Sequence, residues 1–431
     1  MRIAYYSLGC KVNLYECESI INEFLRVGFT KVDFHEVSDV YLINTCTVTS
    51  MADAKSRKII REAVKKNKDA IIVVMGCYAQ LKPEDIKILD GVDILIGTNK
   101  RSEVFDLVMD RIQNKKTIPY FGCEDIMRVK KYEELKLDNY TDKTRAFVKI
   151  QDGCDNYCSY CTIPYARGHS RSRLLANVVS EIKVLSDKGV KEIVLSGINT
   201  GAYGLDLGTN LNNLLKELLE IPTLGRIRIS SIEESEITES LVQTIAKNQD
   251  HFCEHIHLPL QGGSDHVLNL MNRKYNLDKY KRKVELIRKY SPNINITTDV
   301  LVGFDGETEE DFKKSIAFIE SIGFGEMHVF PYSPRERTIA YKKDLEHVQS
   351  SVKTNRVHQL LELNNEKALK YRSKFVGKIL NVIVEKNNNG TCFGYSSNYI
   401  RICFQGNCKD NTLVQVKLIK ANYPESIGEL L

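Results

Sequence analysis

The sequence has no long hydrophobic run, no low-complexity tract and little net charge. Its longest uninterrupted apolar stretch lies within residues 70–75, far below the roughly 20 residues that span a bilayer. Residues 1–6 enter a strand pattern at once, so we expect no signal peptide, no membrane partner and a cytoplasmic location. Hydrophobic residues make up 42% of the chain and charged residues 27%, which predicts folded domains rather than disorder. The net charge of +5 is weak support for a nucleic-acid partner.

Cysteine, by contrast, is abundant. Twelve cysteines in a reducing compartment indicate metal ligation or free thiols rather than disulfides. Cys154, Cys158 and Cys161 form a C-x3-C-x2-C run directly after an apolar segment, residues 146–151, that predicts a strand. Soft thiolates select iron–sulfur clusters or zinc, and three of them would leave one iron of a cubane open. Zinc with His169 as a fourth ligand, or three incidental thiols, are the alternatives.

The first 110 residues alternate short apolar runs with helical patterns, which predicts a doubly wound parallel sheet. Cys10, Cys46 and Cys77 each follow a predicted strand. Because the carboxyl ends of parallel strands form the edge where ligands bind, we expect these cysteines to converge as a second metal site. The alternative is three buried structural thiols. Cys17 lies about two turns into the first helix, so we interpret it as structural.

The central part of the chain resumes this alternation, with predicted strands at 147–151, 192–197, 226–231, 255–260, 296–303 and 327–332. Six βα units predict a partial barrel whose functional groups lie on the loops after the strands. Several of these loops are polar or rich in glycine, and they are either cofactor contacts or ordinary turns. The candidate binding residues are Gly197, Asn199, Ser231, Glu233 and Gly303.

A dense basic segment follows the cysteine run and contains Arg167, His169, Arg171 and Arg173. One hypothesis is contact with RNA phosphates. The other is ion pairing with carboxylates on the barrel loops.

The C-terminal segment has a different pattern. Residues 345–372 predict one long charged helix, and Asn389-Gly390 between β-rich runs predicts a hairpin. The short strands of residues 373–431 predict a small OB-like β-barrel, a common nucleic-acid platform. Tyr395, Tyr399 and Phe404 either contact RNA or pack in the core.

The Cys154 run, with Tyr160 directly before its third cysteine, resembles the signature of the radical S-adenosylmethionine enzymes. The resemblance implies a catalytic 4Fe-4S cluster on Cys154, Cys158 and Cys161, with S-adenosylmethionine bound to the open iron. One electron, from a donor such as flavodoxin or ferredoxin, would cleave S-adenosylmethionine to methionine and a 5′-deoxyadenosyl radical. The predicted loops around Glu233 and Gly303 would surround this cofactor.

The whole chain resembles the methylthiotransferases of that superfamily. Residues 9–13 (Gly-Cys-Lys-Val-Asn) and 151–154 (Gln-Asp-Gly-Cys) resemble the branch that acts on N6-threonylcarbamoyladenosine beside the tRNA anticodon. The resemblance implies a second 4Fe-4S cluster on Cys10, Cys46 and Cys77, and the anticodon stem-loop as a partner. The product would carry a methylthio group at adenine C2, with sulfur from the second cluster and the methyl group from a second S-adenosylmethionine.

The same resemblance implies four segments: an auxiliary-cluster domain (1–112), a linker (113–143), a radical core with its C-terminal helix (144–372) and a TRAM-like RNA-binding domain (373–431). One departure is Arg337, which occupies the glycine position of the family's Arg-x-Gly-Thr pattern. The alternatives are the same chemistry on isopentenyladenosine tRNA or on a ribosomal protein aspartate, or a non-catalytic iron–sulfur or zinc protein that binds RNA.

Overall fold

The structure, a computed structural model, describes residues 1–114, 118–137 and 144–431. Its N-terminal strands are β1 (Arg2–Ser7), β2 (Thr30–Lys31), β3 (Val40–Thr45), β4 (Ile71–Gly76), β5 (Ile94–Ile96) and β6 (Tyr120–Gly122). The helices between them are α1 (Lys11–Arg26), α2 (Ser50–Lys66), α3 (Cys77–Leu81), α4 (Pro83–Lys87) and α5 (Val104–Asn114).

These six strands form one sheet in the order β2-β1-β3-β4-β5-β6, and all neighbouring pairs are parallel. The doubly wound sheet is therefore confirmed. Alternate residues of each strand enter different hydrophobic clusters: Ile43 and Val74 pack on one face, and Leu42 and Val73 on the other. Strands buried on both faces read as continuous apolar runs, which is why the sequence reveals them clearly.

Residues 118–137, within the predicted linker, make contacts with both the first and the central domain. Strand β6 pairs with β5 as the sixth strand, and Leu135 and Leu137 pack against Tyr15 of α1. A three-residue strand among charged residues has no hydrophobic period to detect. The predicted linker also includes 115–117 and 138–143, which lie outside the described residues.

The central strands are β7 (Ala146–Lys149), β8 (Gln151–Asp152), β9 (Arg171–Ser172), β10 (Glu192–Ser196), β11 (Arg226–Ile229), β12 (His255–His257), β13 (Asn295–Val302) and β14 (Glu326–Pro331). The helices are α6 (Ile163–Arg167), α7 (Leu175–Asp187), α8 (Leu211–Leu219), α9 (Glu239–Lys247), α10 (Asp265–Leu270), α11 (Leu277–Tyr290), α12 (Glu309–Ile322), α13 (Ile339–Lys342) and α14 (Ser350–Ser373).

Six of these strands form an open parallel arc in chain order. Strands β7, β10 and β11 make one sheet, and β12, β13 and β14 make another. Parallel bridges between Ile227 and Phe252 and between Ser231 and His257 join the two sheets. The helices pack outside the arc, so one hydrophobic cluster runs between them and the strands. The predicted partial barrel is thus confirmed.

The C-terminal strands are β15 (Ile379–Asn388), β16 (Thr391–Ser396), β17 (Arg401–Gln405), β18 (Leu413–Lys420) and β19 (Ser426–Leu430). They close into a barrel in the order β15-β16-β17-β19-β18, which confirms the small β-barrel. Asn389 and Gly390 both adopt positive φ at the β15–β16 turn, as a tight hairpin requires. Within the described residues, no helix has the length and apolar composition of a membrane span.

Candidate active site

Cys154, Cys158 and Cys161 lie on the loop that follows β7 and β8. Gly153 opens this loop with a φ of +74°, and a Cβ there would lie 2.0 Å from the His169 carbonyl oxygen. Glycine is therefore required at this position. The loop is held in place from the segment after α10, because Asn272 Nδ2 donates to the Tyr157 carbonyl at 2.9 Å.

The three thiols lie close enough to affect one another's ionisation. Burial raises the pKa of Cys154 to about 12, and burial followed by repulsion from Cys158 raises the pKa of Cys161 well above its usual value. Thiolates gathered in this way need a compensating cation, such as a metal cluster. His169, the alternative fourth ligand, is exposed, and its Nδ1 lies 2.6 Å from an Asp155 carboxylate oxygen. The donor set therefore fits a three-thiolate cluster better than a four-ligand zinc site.

A charged pocket adjoins the cysteine loop. Arg273 Nη1 donates to Cys158 Sγ at 3.1 Å, and Nη2 of the same guanidinium pairs with Glu233. Tyr160 packs in the same region, with its ring 6.4 Å from that of Phe304, the residue after Gly303. Sequence reasoning missed Arg273, because its contact with Cys158 spans 115 positions and belongs to no motif.

A second wall of the pocket comes from the loop after β10. Gln151 Oε1 accepts from the Asn199 backbone N–H at 2.8 Å, and a Cβ on Gly197 would lie 3.0 Å from that oxygen. Asn199 Nδ2 donates to Glu236 Oε1 at 2.7 Å, and the Glu233 backbone N–H donates to Glu236 Oε2 at 2.9 Å. Asn199 and Glu233 are thus joined through Glu236, which the sequence analysis did not single out.

Ser231 and Gly303 have different surroundings. Ser231 is exposed to a cavity inside the barrel. Gly303 is buried at the end of β13, where its N–H donates to Glu307 Oε2 at 2.6 Å and a Cβ would lie 2.3 Å from Cγ of Lys353. The structure therefore brings Gly197, Asn199 and Glu233 together, whereas Ser231 lines the cavity inside the barrel.

Glu236 should make stability depend on pH near neutrality. Burial raises the pKa of Glu236 from 4.5 to about 7. Repulsion from the Glu233 carboxylate adds to this rise, and the hydrogen bond from the Glu233 backbone opposes it. The folded state then retains a proton that the unfolded state releases, so stability falls as pH rises from 4.5 to about 7. We expect Glu236→Gln to remove ~2 kcal/mol of this fall, after allowance for partial exposure.

Thermal unfolding at about pH 5.5 and about pH 8 measures the effect. The loss of stability between the two should be larger in the wild type than in Glu236→Gln. The exposed Glu310→Gln variant serves as the control and should behave as the wild type. Equal losses in all three proteins would contradict the argument.

Cys10, Cys46 and Cys77 converge at the carboxyl edge of the N-terminal sheet, after β1, β3 and β4. Gly9, with φ +94°, precedes Cys10, and a Cβ on it would lie 2.9 Å from Cys46 Sγ. Gly76, with φ +105°, precedes Cys77, and a Cβ there would lie 2.5 Å from a β3 carbonyl oxygen. Burial, with repulsion from Cys46 and Cys10, raises the pKa of Cys77 to about 12. The structure thus gathers a second trio of thiols.

The other six cysteines belong to neither trio. Cys17 is fully buried in the sheet core, as interpreted from its position on α1. All twelve cysteines lie within the described residues, and all are free thiols.

One arginine connects the two trios. Helix α6 begins two residues after Cys161 and ends at Arg167, whose Nε donates to Cys77 Sγ at 3.3 Å. A five-residue helix rises only about 7 Å, so the trios lie on either side of a short element. Arg167 Nη1 also donates to Glu16 at 2.7 Å and to Asp152 at 3.0 Å. This guanidinium therefore links α1, the second trio and the start of the first cysteine loop.

The hypothesis that this basic segment contacts RNA phosphates is wrong for its arginines. Arg167, Arg171 and Arg173 are 0%, 3% and 1% exposed. Arg173, for example, pairs with Glu181 at 2.8 Å. Buried guanidiniums require carboxylate partners, and these partners come from distant parts of the chain. The ion-pairing alternative therefore holds.

Arg335 fastens the loop after Cys46 to the barrel. Its Nη2 donates to Thr47 Oγ1 and to Asp53 Oδ2, both at 2.7 Å. The sequence analysis assigned no function to this segment, because the partners lie in another domain. Arg335 thus helps to fix the second trio relative to the first.

The three aromatic residues singled out in the C-terminal barrel differ in their surroundings. Phe404 is buried in that barrel's core. The Tyr399 ring stacks on His255 at 4.7 Å and on Tyr395 at 4.8 Å. Core packing therefore holds for Phe404, whereas Tyr395 and Tyr399 are partly exposed and their contact with RNA stays a prediction.

Comparisons with known proteins match both halves of this site. Residues 148–319 match the family model described as Radical SAM superfamily, and residues 2–97 match the one described as Uncharacterized protein family UPF0004. Among solved structures, the radical S-adenosylmethionine methyltransferase TsrM from Kitasatospora setae gives a TM-score of 0.59 at 16% identity, covering 79% of this chain and 76% of that chain. At this sequence identity, the similarity supports a shared fold and nothing more.

Curated relatives match along the full length. Threonylcarbamoyladenosine tRNA methylthiotransferase MtaB of Bacillus subtilis is 41% identical, covering 100% of this chain and 96% of that protein. The protein of the same name from Aquifex aeolicus is 37% identical, covering 96% and 100%. The tRNA-2-methylthio-N(6)-dimethylallyladenosine synthase of Clostridium botulinum is 35% identical, covering 98% and 95%.

Proposed function

Since the chain belongs to the radical S-adenosylmethionine methylthiotransferases, we propose that it converts N6-threonylcarbamoyladenosine beside the tRNA anticodon to the 2-methylthio derivative. The observation that carries the proposal is the presence of two separate trios of thiols linked by Arg167. The Bacillus subtilis and Aquifex aeolicus relatives named for threonylcarbamoyladenosine are 41% and 37% identical, against 35% for the Clostridium botulinum relative named for dimethylallyladenosine.

We assign Cys154, Cys158 and Cys161 to the catalytic 4Fe-4S cluster and Cys10, Cys46 and Cys77 to a second one. The bound cluster and S-adenosylmethionine supply radical chemistry, with electrons from a small donor such as flavodoxin or ferredoxin. Glycines at positive φ directly precede Cys10, Cys77 and Cys154. Arg273 donates a hydrogen bond to Cys158 Sγ and so helps to hold this ligand in position.

The polar wall beside the first trio is proposed to bind S-adenosylmethionine. Glu233 and Asn199 offer a carboxylate and an amide on the same side as Cys158, and Gly197 permits close approach to the backbone. Tyr160 and the Gly303 loop close the opposite side. Ser231 faces the barrel interior, so we expect it to contact substrate more than cofactor.

A groove between the two domains is the proposed path of the RNA. It is lined by Arg57, Lys82 and Arg337, and also by Thr47 and Thr162, which directly follow Cys46 and Cys161. Asp53 and Glu336 also line the groove, but they pair with Arg335 and Lys82, and the remaining cations suit a phosphate backbone. Acting on C2 of a stacked adenine requires the base to leave its stack. A tRNA partner and reduced thiols both point to the cytoplasm as the place of action.

The proposal is tested with the anaerobically reconstituted protein, a chemical reductant and two anticodon stem-loop RNAs. One carries N6-threonylcarbamoyladenosine and the other N6-isopentenyladenosine. We expect nucleoside mass spectrometry to find the 2-methylthio product on the first RNA only. Product on the second RNA alone would favour the isopentenyladenosine alternative. Product on neither RNA, together with a methylthiolated ribosomal protein, would favour the aspartate alternative. Zinc near one per chain without iron would favour a non-catalytic protein.

A further inference from the structure

A polar cavity lies inside the central barrel, apart from the pocket beside Cys158. Its volume is about 160 Å³. One residue from each neighbouring domain, Lys11 and Tyr399, reaches its wall. The strands of the arc contribute Arg228, Ser230, His255, His257, Asp299 and His328.

The charge of this cavity favours an anion. The Lys11 side chain makes no hydrogen bond and no close ion pair with any residue that the structure describes, and Glu192 attracts it only from longer range. Arg228 adds a second positive charge, although Glu192 accepts from its Nε at 2.7 Å. The one carboxylate among the lining residues is Asp299, whose oxygen lies 3.3 Å from His257 Nε2. Lys11 is exposed, and its ammonium is free to pair with an anion that enters the cavity.

Two orphan atoms in the same wall also point to a ligand. Ser230 Oγ and His255 Nδ1 are buried without a hydrogen-bond partner among the described residues. Both groups can donate a hydrogen bond, and buried polar groups are normally satisfied. Ser230 and His255 are also among the residues that line the cavity.

A metal ion is the competing occupant. His257, Asp299 and His328 present donor atoms within 4.8 Å of one another. Lys11 and Arg228 line the same small cavity, however, and would repel a cation. The anion is therefore the occupant that the observations favour.

We propose that this cavity binds the carboxylate of the N6 substituent of the modified adenosine, with Lys11 as its counterion. This inference rests on the proposed function. In adenine, C2 and the carbon that bears N6 flank the same ring nitrogen, so an enzyme acting at C2 receives the N6 substituent close by. Lys11 directly follows Cys10, which places this subsite beside the second trio. A threonylcarbamoyl group carries a carboxylate and an isopentenyl group carries none, so Lys11 determines specificity.

The test compares two anticodon stem-loop RNAs, one with N6-threonylcarbamoyladenosine and one whose threonyl carboxylate is replaced by a carboxamide. For Lys11→Gln in the full-length holoenzyme, we expect KM for the carboxylate RNA to rise roughly ten- to a hundredfold, the range of a charged hydrogen bond. The change for the carboxamide RNA should stay within about threefold, since that RNA lacks the charge that Lys11 would pair with. Lys11→Arg should recover most of the affinity, and the exposed Lys313→Gln serves as the matched control.

Several outcomes would overturn the proposal. An equal rise in KM for both RNAs, or no rise for either, would show that Lys11 does not bind the carboxylate. Iron counting on each variant separates this result from loss of the second cluster. One equivalent of non-iron metal that disappears in His328→Ala would assign the cavity to a cation. A wild-type enzyme that cleaves S-adenosylmethionine but thiolates neither RNA would overturn the proposed function itself, and this subsite with it.

Discussion

Replacing Cys158 with alanine is expected to reduce S-adenosylmethionine cleavage to background, whereas Cys46→Ala should retain cleavage and lose methylthiolation. Cys158 is one of three thiols on a single loop and accepts from Arg273 at 3.1 Å, and two remaining thiolates do not hold a cubane. Cys46 belongs to the other trio and lies next to Gly9. The loop after Cys46 is held by a hydrogen bond from Arg335, which belongs to the central domain. The two losses should therefore be separable.

The measurement pairs 5′-deoxyadenosine release with nucleoside mass spectrometry on the same anaerobic samples. Iron content should fall by about half in each triple-cysteine variant if each trio holds one cluster of equal size. Cys17→Ala is the control, because Cys17 is buried in the sheet core. It should keep both activities while losing about 1 kcal/mol of stability. Methylthiolation retained in Cys46→Ala would refute the assignment of two sites.

Glu16→Gln is expected to destabilise the protein by roughly 3–5 kcal/mol, the usual result of breaking a buried ion pair. Glu16 is fully buried and accepts from Lys149 at 3.0 Å and from Arg167 at 2.7 Å, and it also pairs with Arg101. Removing its charge leaves three buried cations with Asp152 as their main partner. Because these groups join two domains, we expect their cooperative unfolding to separate.

Thermal unfolding of the holoprotein measures this destabilisation, with Glu84→Gln as the exposed control, expected to change stability by less than about 0.5 kcal/mol. Burial alone would raise the pKa of Glu16, but Arg101, Arg167 and Lys149 hold it well below its usual value. The charge thus contributes stability above the ordinary pKa of 4.5, and this contribution is lost as pH falls further. The gap between wild type and Glu16→Gln should shrink below that pH. A constant gap would contradict the electrostatic cause.

The elements with strong local signals could be predicted from the sequence. Strand β4 is a continuous apolar run, and the Asn389-Gly390 turn supplies two residues that tolerate positive φ. The convergence of Cys10, Cys46 and Cys77 followed from one rule about the edges of parallel sheets. In each case the information lies within a few residues of the feature.

The contacts that join domains could not be predicted in this way. Arg167 is adjacent to residues that suggested RNA binding, yet its partners lie on α1 and after β4. Arg273 and Arg335 reach thiol-bearing loops more than 100 positions away. A guanidinium has the same sequence signature whether it meets a phosphate or a buried carboxylate, and only the fold decides between them.

The stacked rings of Tyr399 and His255 give the C-terminal barrel a structural role in the central barrel, in addition to any role in binding RNA. Tyr399 and His255 both line the cavity inside the central barrel, so the C-terminal barrel forms part of the wall of that cavity. A chain without residues 373–431 would lose this part of the wall and expose His255 to solvent.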